Sequence, residues 1–437
     1  MSRTFKIITL GCKVNQYESA FFKDTLQAAG WCQVSKNEKA DVSIINTCIV
    51  TQKASYQSRQ AIRQVIRENP EGLAAAVGCY AQVFQDELLG IKGLGLVIGN
   101  TGKKDILQIL ERRLQDVDSR VVSGPFLKGM VFDDLPVKGL TDRTRAFLKI
   151  QDGCESYCSY CIVPFARGPL RSLDPAKVIE RLQSLRDEGR REVVLTGIHL
   201  GKYGVDLGRD IDLKNLLRMI GRVNTGLRIR LSSLEPTEID QQLIDMMSTE
   251  GWLCRHFHIP LQSGDNRILK SMNRHYTSEQ FSDLIQRIHQ AMPIAAIGVD
   301  VMTGFPGEDQ EAFERTFSLI DDSPVSYLHV FPYSPRKGTA AAGFPNQVDP
   351  KVIKDRARML RELGQKKRTA FYASCLGEEF TVLTEGWHSA EKTMIKGWSD
   401  NYIPFVFSSS GLQQNNIVNV RAEKLGKGHV IGRPIDI

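Results

Sequence analysis

Apolar strands alternate with amphipathic helices in two long series along this chain, a pattern that folds into parallel sheets whose faces are covered by helices. The first series predicts strands at 6–10, 42–46, 73–77 and 96–98, with helices at 18–29, 58–68, 84–89 and 104–114. It reads as an α/β unit with an open parallel sheet, in which ligands gather at the carboxyl ends of the strands. The second predicts strands at 147–150, 192–196, 228–232, 256–260, 297–302 and 327–331, with helices at 175–188, 213–223, 238–247, 278–290 and 311–320. Six such units make an incomplete (β/α)6 barrel, and barrel enzymes carry their chemistry on the strand carboxyl ends. At 437 residues the chain exceeds one hydrophobic core. The expected division is 1–120, 140–370 and 374–437, with the Gly- and Pro-bearing stretch 119–142 as a connector. After Gly377, short β-like runs at 379–383, 393–396, 403–407, 417–421 and 429–432 predict a small all-β barrel, an architecture often appended to catalytic domains for oligonucleotide binding.

Cysteine placement sharpens this frame. Cys154, Cys158 and Cys161 follow the first strand of the second series, and no fourth Cys or His lies within ten residues on either side. Three thiolates do not close the tetrahedral shell of a structural zinc. They do hold a 4Fe-4S cluster with one iron left open to a small molecule. A zinc site and an incidental grouping stand as the other readings. Cys12, Cys48 and Cys79 each follow a strand of the first series, 36 and 31 positions apart, so a parallel sheet brings them to one edge, where a second cluster can sit. Three buried small side chains are the alternative, since free cysteine is commonly core. Nine cysteines, an odd number, in a chain with no visible signal peptide and no apolar run of about 18 residues favour ligation or catalysis over disulfides. The expectation is a cytoplasmic protein without a membrane partner. Cys32, Cys254 and Cys375 fit neither set and are expected to be structural.

Each strand end of the second series bears a polar or glycine-rich segment: Thr196-Gly197-Ile198-His199, then Ser232 to Pro236, Pro260 to Asp265, Thr303 to Glu308, and Pro332-Tyr333-Ser334. Any one of them reads as a loop; together they face one mouth. Composition, with 42% hydrophobic and 24% charged residues, excludes a disordered or fibrous chain. The net charge of +7 permits a nucleic-acid partner without requiring one. Most of that charge lies in a predicted helix at 351–368, where eight Lys/Arg oppose two Asp/Glu. Lys351, Lys354, Arg358 and Arg361 share one stripe of it, opposite Ile353, Ala357, Leu360 and Leu363. That stripe is either a solvated face or a phosphate contact. Residues 375–437 carry six Lys/Arg against seven Asp/Glu, so charge alone gives the terminal barrel no RNA-binding role.

The run Cys154-Glu155-Ser156-Tyr157-Cys158-Ser159-Tyr160-Cys161 has the C-x3-C-x2-C spacing of the radical S-adenosylmethionine (SAM) superfamily, which the chain resembles here. With Val163-Pro164-Phe165-Ala166-Arg167-Gly168, Asn46-Thr47-Cys48 and Gly78-Cys79-Tyr80-Ala81-Gln82, the sequence is similar to the methylthiotransferases over nearly its whole length. The segment Gly11-Cys12-Lys13-Val14-Asn15-Gln16-Tyr17-Glu18-Ser19 most resembles the branch acting on threonylcarbamoyladenosine in tRNA. The branches acting on isopentenyladenosine and on a ribosomal protein aspartate differ at the two positions after the cysteine.

This resemblance implies an amino-terminal cluster domain, a radical SAM barrel and a carboxyl-terminal TRAM-like RNA-binding barrel. It implies two 4Fe-4S clusters, one on Cys154, Cys158 and Cys161 that cleaves SAM, and one on Cys12, Cys48 and Cys79 that carries the sulfur. Thr196, Gly197, Ser232, Ser233 and Gln262 are its expected SAM contacts. The reaction implied is methylthiolation of C2 of N6-threonylcarbamoyladenosine at tRNA position 37. That C–H is neither acidic nor electrophilic enough for ordinary acid–base or nucleophilic chemistry. Expected partners are the tRNA anticodon stem-loop, a low-potential electron donor and a sulfur source. Arg167 and Arg171 read either as partners of a carboxylate or phosphate or as surface arginines. Isopentenyladenosine tRNA and a ribosomal protein remain as alternative substrates. An iron-sulfur electron carrier or redox sensor also explains two cysteine triads, but not a barrel with polar strand ends.

Overall fold

A computed structural model describes residues 2–116, 120–127, 129–137, 144–409 and 411–435. The amino-terminal unit is an all-parallel sheet of six strands, in the order Cys32–Gln33, Thr4–Thr9, Val42–Thr47, Leu73–Gly78, Leu96–Ile98 and Val121–Val122. Its two edge strands, two residues each, are too short to leave a periodic signature. Val121–Val122 comes from the stretch read as a connector, part of which lies outside the described residues. The helix Lys13–Ala28 starts five residues earlier than periodicity suggests, directly after Cys12. Helix Gln52–Glu68 likewise starts early, because the Thr51 side chain caps it by accepting from Ala54 N. The helix expected near 84–89 is two short ones, Cys79–Val83 and Gln85–Leu89, broken at Phe84.

The second series forms two three-stranded parallel sheets. One holds Arg228–Leu231, Glu192–Thr196 and Ala146–Lys149; the other holds His256–Gln262, Ala296–Thr303 and Tyr327–Pro332. A parallel bridge between Ile229 and Leu253 and a hydrogen bond from Leu234 N to His258 O (3.0 Å) join them edge to edge, giving the incomplete barrel. Side chains alternate across these strands. Val193, Leu195, Ile229, Phe257, Ile259, Ile297 and Val299 pack beneath the surrounding helices. The intervening positions put Glu192, Arg228, Arg230, His256, His258, Asp300 and His329 on the concave face.

The cores of the first two units interlock. Phe147 and Val194 join the cluster built around Phe5, Tyr17 and Phe22, while Ile162 and Ala166 join that of Ile45, Ile62 and Tyr80. Helix Pro350–Ser374, capped by Asp349, packs on the last barrel strand through Leu360, Leu363 and Gly364. A closed five-stranded barrel follows, Glu379–Trp387, Met394–Ser399, Pro404–Ser408, Val430–Pro434 and Ile417–Leu425 in ring order. It is docked by the concave face itself: Arg228 donates to Thr381 O (2.7 Å) and Trp398 O (3.0 Å), and Arg230 to Asp400 O (2.8 Å) and Ser399 O (3.0 Å). Among the described residues no helix is long and apolar enough to cross a membrane.

Candidate functional site

Cys12, Cys48 and Cys79 follow three adjacent strands of the first sheet, so one edge gathers them. Cys12 is exposed at the start of helix Lys13–Ala28, Cys79 opens Cys79–Val83, and Cys48 is buried just ahead of Gln52–Glu68. Gly11 has φ +96°, and a Cβ there would stand 2.8 Å from Cys48 Cβ and Sγ, so only glycine lets the first and second strand ends approach this closely. Asn15 ties them together, donating to Leu10 O (2.7 Å) and Thr47 O (3.0 Å). Burial pushes the Cys48 thiol up to about 11.

The second triad hangs from a loop pinned at its base, where Gln151–Asp152 pairs antiparallel with Arg171–Ser172. Cys154 N donates to Gly168 O (3.0 Å) and Ser159 N to Met272 O (3.0 Å). Every sulfur faces a donor or a titratable partner. His199 Nδ1 lies 3.5 Å from Cys154 Sγ, Arg274 Nη1 donates to Cys158 Sγ (3.4 Å), and Val163 N to Cys161 Sγ (3.4 Å). Burial drives Cys161 up to about 12 and raises Cys158 against the pull of Arg274. At Cys154 burial is outweighed by the His199 contact, and the thiol is lowered. His199 is oriented from behind by Glu238 Oε1 at 2.6 Å. Burial would lower the imidazole, but its bonds to Cys154 and Glu238 lift it to about 10.

Arg167 ties the segment that follows the second triad to the first triad. Six residues past Cys161 and 1% exposed, it donates through Nε to Cys79 Sγ (3.2 Å), through Nη2 to Asn15 (2.9 Å) and through Nη1 to Glu18. Glu18 also pairs with Lys103, and Arg167 reaches Asp152 (3.5 Å), which pairs with Lys149 (3.1 Å). The surface-arginine reading of Arg167 and Arg171 is therefore corrected: both are buried and their partners are protein carboxylates and carbonyls. Sequence alone could not find the link, because Glu18 lies 149 residues away.

The expected SAM contacts lie at the strand ends as follows. Thr196 is buried, and Gly197 leaves room for Gln151, whose Oε1 accepts from His199 N at 2.7 Å. Ser232 is buried with its hydroxyl unpartnered among the described residues. Ser233 Oγ points instead to His258 Nδ1 (2.6 Å), and Gln262 takes φ +62° at a register shift in its strand. The His258 contact leads to a group that strand-end reasoning missed. His258 Nε2 and His329 Nδ1 lie 2.8 Å and 3.3 Å from Asp300 Oδ1. Burial opposes ionisation of Asp300, but the two imidazoles hold it down at about 2. The period-2 alternation of His256-Phe257-His258-Ile259 was its sequence signal. Lys13, next to Cys12, makes no hydrogen bond or ion pair among the described residues; desolvation of its ammonium end and the guanidiniums of Arg230 and Arg145 lower it to about 8. Cys254 and Cys375 are core, and Cys32 is exposed on an edge strand.

The donor sets discriminate between metals. A tetrahedral zinc with Zn–S near 2.3 Å holds its sulfurs about 3.8 Å apart. Among the described residues only His258, Asp300 and His329 bring three ligand atoms all within 4.8 Å of one another, so neither cysteine triad has contracted to mononuclear spacing. The donors aimed at the sulfurs, from His199, Arg274, Val163 N and Arg167, fit anionic thiolate ligands of a cluster.

Comparison with known proteins agrees with this geometry. Residues 4–99 match the uncharacterized protein family UPF0004, and residues 148–320 match the radical SAM superfamily. The chain is 39% identical over 421 residues to the threonylcarbamoyladenosine tRNA methylthiotransferase MtaB of Bacillus subtilis, covering 96% of this chain and 93% of the relative. It is 32% identical to the tRNA-2-methylthio-N(6)-dimethylallyladenosine synthase of Moorella thermoacetica, covering 99% of each. The structure of the radical SAM methyltransferase TsrM from Kitasatospora setae, with tryptophan and a SAM analogue bound, shares the fold at TM-score 0.57 and 16% identity, over 76% of this chain and 73% of that one. The alignments run nearly end to end and embrace both cysteine-bearing units, and the chain belongs to the radical SAM methylthiotransferase family.

Proposed function

We propose that this protein attaches a methylthio group to C2 of N6-threonylcarbamoyladenosine beside the tRNA anticodon, at position 37. The observation that carries this reading is the pair of separate cysteine triads held in one rigid frame by Arg167. When bound, the cluster on Cys154, Cys158 and Cys161 supplies the electron that cleaves SAM to a hydrogen-abstracting radical, and that on Cys12, Cys48 and Cys79 carries the sulfur. The chain's own residues orient and enclose. His199, braced by Glu238, and Arg274, paired with Glu235, fix two of the three sulfurs. The free Ser232 hydroxyl, with Thr196, Gly197, Ser233 and Gln262 around the same mouth, provides polar contacts for SAM.

An unpaired anticodon-loop purine can be turned into such a pocket without breaking a duplex. Threonylcarbamoyladenosine carries a carboxylate that dimethylallyladenosine lacks, and the Lys13 ammonium beside Cys12, without a partner among the described residues, suits it. Residues 1–120 would hold the sulfur cluster, 140–370 the radical site, and 374–437 the tRNA stem, although residues 1, 117–119, 140–143, 410 and 436–437 within those bounds lie outside the described ones. An external low-potential reductant and a sulfur source complete the reaction.

The test is mass analysis of nucleosides after anaerobic reaction of the reconstituted enzyme with SAM, dithionite and sulfide. Anticodon stem-loops bearing threonylcarbamoyl- or dimethylallyladenosine are compared. The proposal expects the methylthio product on the first and little on the second. Conversion of the dimethylallyl stem-loop alone would reassign the substrate.

A further inference from the structure

Arg336 is the one guanidinium among the described residues that is buried with two donor nitrogens unmatched. Just beyond the last barrel strand and 7% exposed, it donates through Nη1 to Ser55 Oγ at 3.3 Å, while Nε and Nη2 have no partner. The other arginines that leave a buried N–H unmatched hold a carboxylate: buried Arg356 pairs with Glu308 and half-buried Arg181 with Asp134. No acidic side chain among the described residues pairs with Arg336. Burying a guanidinium without a counter-charge costs several kcal/mol, so the fold keeps a cation where an anion is to arrive.

Its surroundings name that anion. Ser55 lies on helix Gln52–Glu68, and one turn along, Ser58 Oγ contacts both Cys48 N and Cys48 O at 3.2 Å. Gln52 Nε2 fastens the Arg336 segment to the same helix through Pro335 O (3.1 Å). Burial lowers the Arg336 guanidinium to about 10, and the titratable groups that act against that lowering are Cys48 and Tyr80. Arg167, the other guanidinium at this triad, is fully occupied by Glu18, Asn15 and Cys79.

We infer that Arg336 is a positioning residue of the Cys12, Cys48 and Cys79 centre, donating from Nε and Nη2 to anionic sulfur held there. That sulfur is either a bridging sulfide of the cluster or a hydrosulfide bound at its open iron. The inference rests on the assignment of a cluster to these cysteines but not on the identity of the RNA substrate, so its test uses no RNA.

In a Cys154→Ala/Cys158→Ala/Cys161→Ala background, which isolates the second cluster, Arg336→Gln and Arg336→Lys are compared with the parent. The readouts are the EPR-monitored midpoint potential and a hydrosulfide titration. Loss of the cation disfavours the more negative reduced state. Arg336→Gln is expected to lower the potential by about 59 mV, a tenfold change for one electron, with Arg336→Lys between. A hydrosulfide Kd raised tenfold as well places the donors on the added sulfur, while an unchanged Kd with a shifted potential places them on the cluster. A potential and a Kd that both stay at the parent values overturn the inference. A parent protein that binds no iron at these cysteines would instead refute the cluster assignment. If Arg336→Gln fails to take up iron, thermal melting of cluster-free protein decides. Arg336→Met is expected to melt above its parent, because it removes an uncompensated buried charge; a lower melting point would mark a packing residue and overturn the inference.

Discussion

Glu18 shows how one residue ties the two cysteine-bearing units together. It is 1% exposed and meets Arg167 from the radical loop, Lys103 from the first sheet's far end and Lys149 from the first barrel strand. Burial alone would raise its carboxyl, but Arg167, Lys103 and Lys149 outweigh it and keep Glu18 ionised. Replacing one member of a buried network strands the others. Glu18→Gln is expected to cost about 3–5 kcal/mol, read as a lowered thermal midpoint; an unchanged midpoint would show that the cations find other partners. At the radical triad, Cys154→Ala is expected to abolish 5′-deoxyadenosine formation from SAM and dithionite, and persistence at the parent rate would dismiss that triad as the site of cleavage. The cysteines themselves were legible in the sequence because their spacing is local or follows strand ends. Arg167 and Arg336 were not, since their partners come from segments 149 and 281 residues away.

At the scale of elements, the strands of the barrel were legible because apolar residues recur at period 2 beneath the helices. The polar face of the same strands carries the structural surprise. Glu192, fully buried, is held by Arg228 and Arg230, whose remaining donors dock the terminal barrel. Burial opposes its ionisation, but the two guanidiniums hold the carboxyl at about 2. A depressed pKa contributes stability that is complete above the ordinary value near 4.5 and fades as pH falls toward 2. The parent should therefore exceed Glu192→Gln in stability at pH 7, by about 3 kcal/mol from the shift alone. That gap is expected to narrow below pH 4.5 in denaturant melts, and a constant gap would contradict the pairing. Helix Pro350–Ser374 keeps the stripe of Lys351, Lys354, Arg358 and Arg361 exposed. Arg356 is buried against Glu308, and Arg358 pairs with Glu362, so the solvent-facing excess is smaller than composition suggests. Lys351, Lys354 and Arg361 remain exposed. Replacing Lys354, Arg358 and Arg361 together is expected to weaken tRNA binding and reduce the slope of log K against log salt by about 2. An unchanged slope would return the stripe to the role of a solvated face.

Across the whole molecule, three units are locked by contacts that cross their boundaries: shared apolar cores between the first two, and arginine-to-carbonyl docking between the second and third. Element order and fold class could be read from periodicity because each unit is locally patterned. The junctions could not, because they are built from single charged side chains that meet only after folding. This locking suits the proposed reaction, in which two cysteine centres with different duties would act near one substrate. The most direct test is an anaerobic reaction of reconstituted Cys48→Ala enzyme with SAM, dithionite and the threonylcarbamoyl stem-loop, with 5′-deoxyadenosine and methylthiolated nucleoside measured in the same sample. Divided duties predict that SAM cleavage continues while methylthiolation stops; loss of both to the same degree, or retention of the methylthio product, would contradict it.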